Sequence, residues 1–250
     1  MQRLIKSAFL LVLVLLTGGP PAWAANGEVL DFSRIVRSGG LSRDCALTFD
    51  DGPGEHTGLL LDALKQKRVK ATFFVLGKHV RRFPDLIQRM LNEGQEVENH
   101  SYDHPDMRKL GEDERRKEIE ETTALLKALG ATPHYFRPPY GAYDQKLIDM
   151  ARKDGLEIVL WSHDSEDWRY HSLPLIEANA LAKPDAGAHG IFLFHDIQDS
   201  TIALMPSIID FLSAKGCRFL TMDQWMKDNP QPIPPKPEEP PFDKSRIQWF

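Results

Sequence analysis

Long apolar runs are scarce in this sequence. The N-terminal run from Ala8 to Leu16 is too short to span a bilayer comfortably, so a stable membrane anchor is not expected. Basic charge is in deficit, with 31 Lys and Arg against 36 Asp and Glu and a net charge of −5. Nucleic acid is thereby disfavoured as a partner, because phosphate binding needs a basic surface. Cysteine is confined to Cys45 and Cys217. No glycine loop suited to cradling phosphate follows the first strand-like run, which weakens a nucleotide-binding open sheet. His100 is not followed by Glu, so the helical zinc-protease motif is missing too.

What is present begins with a processing signal. Arg3 and Lys6 precede the short apolar run, a Gly-Gly-Pro-Pro break follows, and Ala22-Trp23-Ala24 supplies a small-x-small site. This pattern predicts a secretory signal peptide over residues 1–24 and export to the periplasm, cell wall or extracellular space. No cysteine stands after the cut to carry a lipid. Cleavage removes two basic residues and no acid, which takes the net charge from −5 to −7. An oxidising compartment would let Cys45 and Cys217 pair, and each stands at the start of a predicted strand. Two buried free thiols fit the sequence equally well, because geometry decides. Residues 25–43 read as a lead-in, 44–228 as one catalytic domain, and 229–250 as an extended tail with seven prolines. Ile247, Trp249 and Phe250 at its end are candidates to dock on the domain or a partner.

Within the domain, runs read as strands begin near Cys45, Ala71, Glu96, Tyr135, Leu156, Ile191 and Arg218, and most are near-continuous apolar segments. Between them lie helical spacings such as Leu59-Leu60-Ala63-Leu64, Leu86-Ile87-Met90-Leu91 and Leu147-Ile148-Ala151. Several end at glycine: Gly94, Gly130, Gly155 and Gly216. Gly111 to Lys127 reads as a helix with a solvated, charge-dense face. Strand then helix, repeated seven times, predicts an α/β fold with a parallel sheet buried on both faces, either closed as a barrel or open.

Unusual polar residues fall directly after the predicted strands. Asp50 and Asp51 follow the first, His100 and His104 the third, Arg137 the fourth, Asp164 and Asp167 the fifth, His195 and Asp196 the sixth. In a parallel barrel these positions converge on the rim where active sites are built. Alone, Asp-Asp-Gly-Pro is a turn, His-Ser-Tyr-Asp-His a surface loop and Arg-Pro-Pro-Tyr-Gly a loop with a solvated Arg. Gathered on one rim, they offer a divalent-cation site. Pro105 disfavours a helix through His104, so a turn must bring the two imidazoles together, with one acid completing the set. Successive strand side chains point opposite ways, so Asp50 and Asp51 are expected to have different jobs: one holds the ion, the other takes a proton from water. Arg137 is a candidate to orient a carboxylate. His163 is assigned to a loop.

"TFDDGP", "HSYDH", "RPPYG", "DSEDW" and "LFHD", in this order, resemble the five motifs of the polysaccharide deacetylases, the NodB-homology carbohydrate esterases of family 4. The resemblance covers Cys45 to Trp225. It implies a distorted (β/α)7 barrel that removes acetyl groups from N-acetylated sugars with a divalent metal, zinc first and Co2+, Ni2+ or Mn2+ as alternatives. Carried over, Asp50 is the catalytic base, Asp51, His100 and His104 are metal ligands, and His195 is the general acid. Arg137 positions Asp50 and Asp167 supports His195. The backbone N–H of Tyr140 assists the oxyanion, while Trp168 and Leu193 wall the acetyl methyl. Where relatives often carry Gly-Asn-His, Glu98 precedes Asn99 and His100, which places a charge near the metal loop. The expected substrate is an N-acetylated polysaccharide, peptidoglycan N-acetylglucosamine first, then chitin oligomers or exported poly-N-acetylglucosamine. A glycoside hydrolase needs acids separated across the scissile bond, which adjacent Asp50 and Asp51 fit poorly. A non-catalytic glycan-binding domain is the third reading.

Overall fold

The computed structural model describes residues 43–181 and 189–229. The predicted signal peptide and most of the proline-rich tail lie outside the described residues. The central strand is β1 (Asp44–Asp50), every residue of which is buried. β2 (Thr72–Val75), β3 (Glu96–Asn99), β4 (Tyr135–Phe136) and β5 (Glu157–Ile158) step away from it on one side. β7 (Gly190–His195) and then β6 (His163–Asp164) continue on the other, and all these pairings are parallel. β8 (Arg218–Phe219) pairs with the first two residues of β1. Among the described residues β5 and β6 are not bonded to each other, so the barrel is split there, as the distorted (β/α)7 fold requires.

Helices α1 (Thr57–Lys67), α2 (Gly77–Arg82), α3 (Pro84–Asn92), α4 (Glu112–Ala128), α5 (Gln145–Lys153), α6 (Leu173–Leu181) and α7 (Asp199–Ala214) fill the crossovers, and α8 (Met222–Asp228) follows the last strand. Among the described residues no helix is long and apolar enough to cross a membrane. The alternation of β1 explains the layering. Cys45, Leu47 and Phe49 face outward into a cluster with Leu60 and Leu64 of α1 and Ile208 and Leu212 of α7. Ala46 faces inward with Phe74, Tyr135 and Ile191, and Trp225 and Met226 of α8 plug that interior at its amino-terminal end. The four glycines expected to stop helices have positive φ, from 71° at Gly94 to 90° at Gly130, where a Cβ would be strained.

The strand expectation needs one correction. Seven strand-helix repeats were expected, but β6 is an eighth strand segment with no helix between it and β5. It is two residues long and sits inside "WSHDSEDW", too short to show a period among turn-forming residues. Consequently Asp164 lies within β6, and His195 closes the seventh strand. His163 is likewise a buried strand residue, stacked on Phe192 with ring centroids 4.2 Å apart.

Cys45 and Cys217 form a disulfide across 172 residues, Cα–Cα 5.7 Å. It ties the central strand to the last crossover. Removing it as C45A/C217A is expected to cost about 2–5 kcal/mol, since so long a loop lies at the upper end of the chain-entropy scale. The melting temperature should therefore fall by roughly 5–20 °C for a domain of this size. A scanning-calorimetry shift under about 2 °C would show that the bridge does not constrain the unfolded chain.

Candidate active site

Asp50 and His195 are register partners at the ends of neighbouring strands, and both side chains point into the barrel mouth. Asp51, one residue further, has φ 72°. This left-handed turn swings its carboxylate to the same mouth and toward different partners from those of Asp50. Asp, tolerant of that region, is a fitting residue there. The turn is pinned by Leu76 N–H donating to Gly52 C=O (3.0 Å) and by His79 Nδ1 on Asp51 C=O (2.7 Å).

His100 follows β3 and is buried. Its Nδ1 donates to the Arg137 carbonyl at 2.6 Å, which fixes the tautomer and leaves the Nε2 lone pair facing the mouth. His104 arrives by a tight turn, not a helix. Ser101 and His104 both have positive φ, Ser101 N–H bonds Asn99 Oδ1 (2.8 Å), and His104 N–H bonds Ser101 Oγ (3.0 Å).

Nε2 of His100 and Nε2 of His104 each stand 3.4 Å from Asp51 Oδ1. The three ligand atoms lie within 4.8 Å of one another. Asp51 Oδ1 is buried yet has no hydrogen-bond partner, which is costly for a carboxylate unless a cation satisfies it. Two ligand atoms on a tetrahedral ion at about 2.1 Å stand about 3.4 Å apart. The donor set thus fits a divalent cation of the zinc class, with a coordination position left open. Burial pushes the Asp51 carboxyl up, but His100 first and then His195 and His104 hold it well below the usual carboxylate range.

On one flank, Arg137 is wholly buried. It donates to Asp50 Oδ1 (2.7 Å), Thr48 Oγ1 (2.8 Å) and the carbonyls of Val159 (3.3 Å) and Leu160 (3.1 Å). It therefore ties the segment after β5 to β1 across the barrel, and Asp50 Oδ2 stands 3.7 Å from His100 Nε2. On the other flank, Asp167 accepts from His195 Nδ1 (2.6 Å), His195 N–H (2.8 Å) and the Thr201 hydroxyl. Burial alone would lower the His195 pKa. The Asp167 hydrogen bond and charge, with Asp50 and Asp51 adding, raise it to about 9.

Between the flanks lies a cleft of about 370 Å³, lined by all three candidate ligands, Asp50, His195, Tyr140, Trp168 and Leu193. Every predicted site residue is thus at or directly behind one mouth. Tyr140 (φ 62°) is largely exposed and leans edge-on against His104, ring centroids 4.6 Å apart. Asp164, one of the strand-end acids, lines the cleft as expected; Trp161 lines it without having been singled out by sequence, and Thr48 and Thr201 support it unseen. Thr48 carried a usable signal, since it shares the inward face of β1 with Asp50. Thr201 carried none. The expectation for Glu98 is corrected: its buried Oε2 accepts from the N–H groups of His134 (2.8 Å) and Tyr135 (2.7 Å) inside the barrel. Burial drives its pKa well above the usual range, and these bonds hold its carboxyl at the start of β4 and not in the metal loop.

Residues 39–159 match the family model described as polysaccharide deacetylase. The chain is 41% identical over 186 residues to a peptidoglycan-N-acetylglucosamine deacetylase of Bacillus cereus, covering 72% of this chain and 66% of that one. It is 36% identical to a chitooligosaccharide deacetylase of Rhizobium leguminosarum bv. trifolii, covering 75% of this chain and 94% of that one. It spans only 38% of a Listeria monocytogenes peptidoglycan-N-acetylglucosamine deacetylase, at 41% identity and 72% coverage of this chain. The crystal structure of the Bc1960 peptidoglycan N-acetylglucosamine deacetylase superposes with a TM-score of 0.69 at 38% identity, covering 74% of this chain and 88% of that one. With its motifs assembled at one mouth and relatives matched over most of the described fold, the chain belongs to the polysaccharide deacetylase family.

Proposed function

We propose that this chain is an exported, divalent-metal-dependent N-deacetylase of N-acetylglucosamine-type residues in a polysaccharide, with peptidoglycan the first substrate and zinc the first metal. The observation that carries it is the position of the Asp51–His100–His104 set between a buried Asp50–Arg137 pair and a His195–Asp167 pair. A divalent cation there would supply Lewis acidity toward the acetyl carbonyl and lower the pKa of water. Asp50, oriented by Arg137 through Oδ1, takes the proton of the attacking water. His195 gives a proton to the departing amine nitrogen, and the backbone N–H of Tyr140 donates to the developing oxyanion. Trp168 and Leu193 close around the acetyl methyl. Export agrees with the disulfide, which persists in an oxidising compartment.

Purified protein is expected to release acetate from peptidoglycan, to stop with chelator and to resume with zinc. Chitin oligomers, suggested by the Rhizobium relative, are the second substrate to test. New reducing ends without acetate would instead indicate glycoside hydrolysis. Saccharide binding without turnover, unaffected by Asp50→Asn, would indicate a binding module.

The pH dependence has a definite sign. His195 can donate only while protonated, and the Asp167 carboxylate raises its pKa, so kcat should fall on the alkaline side of the ordinary imidazole range. Asp167→Asn removes the carboxylate that raises that pKa, and should move the fall to lower pH. An alkaline limb identical in wild type and D167N would contradict the role of His195.

A further inference from the structure

Asp196 is wholly buried beside His195, and its Oδ1 has no hydrogen-bond partner. Its Oδ2 lies 2.7 Å from Thr57 Oγ1, which itself lies 2.8 Å from the backbone nitrogen of Gly54. Gly54 N–H donates to Thr57 Oγ1, and the Thr57 hydroxyl in turn donates to Asp196 Oδ2. The same carboxylate sits directly under Gly52, where a Cβ would come within 2.1 Å of both of its oxygens. Glycine at 52 is thus what lets the Asp196 side chain reach beneath the turn.

The Asp51–Gly54 segment is therefore held from two sides. Leu76 N–H and His79 fasten it on the side of β2 and α2. Thr57 and Asp196 fasten it on the side of β7, one residue beyond His195. Asp51 at φ 72° is in a sparsely populated conformation, which persists only where surroundings over-determine it.

We propose that Thr57 and Asp196 form a positioning pair that fixes the turn carrying Asp51 to the strand end carrying His195, and so sets the aim of the Asp51 carboxylate at the cation shared with His100 and His104. This rests on the cation-dependent reading above and adds residues that contact neither cation nor substrate.

The test is zinc affinity of the full purified chain, read by competition with a chromogenic chelator and independent of turnover. Supporting groups behind metal ligands typically change affinity by 10- to 100-fold. Thr57→Val and Asp196→Ala are expected to weaken zinc binding by about that factor, while Thr57→Ser, which keeps the hydroxyl, restores it to within about threefold. Thr57→Ala carries the same expectation as the valine should the latter fail to fold. A pair serving only fold stability would lower the melting temperature and leave native zinc affinity unchanged. Wild-type affinity in both Thr57→Val and Asp196→Ala, or equal losses in Thr57→Ser and Thr57→Val, would overturn the proposal alone. A wild-type chain that takes up no zinc would overturn the cation-dependent reading and this pair's role with it.

Discussion

Asp50→Asn is expected to lower kcat for acetate release by about 100- to 10,000-fold, the usual effect of removing a general base. The substitution is well suited to isolating chemistry from folding. Asparagine keeps a side-chain oxygen for Arg137 at the position of Asp50 Oδ1, now 2.7 Å from the guanidinium. What it removes is the ability of the second atom to take a proton. Zinc affinity should stay within a few-fold, because the ligands assigned to the ion are Asp51 and the two imidazoles. Stopped assays of acetate, alongside zinc titration of the same sample, separate the two effects. A variant turning over at wild-type rate would remove Asp50 from the chemistry.

The second large effect is expected at Arg137, for a different physical reason. Its side chain is wholly buried, pairs with Asp50 and reaches Thr48 and two backbone carbonyls. It also lies over the Phe74 ring, 3.9 Å from the centroid. Removing one partner of a buried ion pair leaves the other charge stranded, at about 3–5 kcal/mol. Arg137→Met should therefore lower the melting temperature by roughly 6–20 °C and reduce kcat as well, because Asp50 loses its anchor. Arg137→Lys is not expected to rescue it, since an ammonium cannot reproduce the planar fork that serves these acceptors. Unchanged melting temperature and kcat in Arg137→Met would mean that the pair neither holds the barrel nor orients the base.

The candidate site was legible because its side chains sit at strand ends. Asp50, Arg137 and His195 each close or follow an apolar run, His100 follows the largely polar β3, and a parallel barrel brings such strand ends together. The separate fates of Asp50 and Asp51 also followed from strand alternation, although the means is a left-handed turn at Asp51. Backbone strain was not legible. Five of the six non-glycine residues with positive φ among those described, Asp51, Ser101, His104, Tyr140 and Glu166, surround the mouth, and no side-chain type announces them. The short strand β6 was hidden for lack of length. The direction of Glu98 was missed because its motif neighbours drew attention to the metal loop, whereas its strand phase with Glu96 turns it toward the barrel interior. Supports such as Thr201 and His79 come from helices far along the chain, and only tertiary structure brings them to Asp167 and Asp51. The disulfide was left open between two outcomes, and the 5.7 Å Cα–Cα separation decides it.

The most direct measurement is anomalous diffraction at the zinc edge from crystals of the zinc-loaded chain. One strong peak is expected about 2.0–2.2 Å from Asp51 Oδ1 and from Nε2 of both His100 and His104, absent in His100→Ala. Zinc bound elsewhere, or a peak that survives loss of His100 at full height, would contradict the three-ligand site.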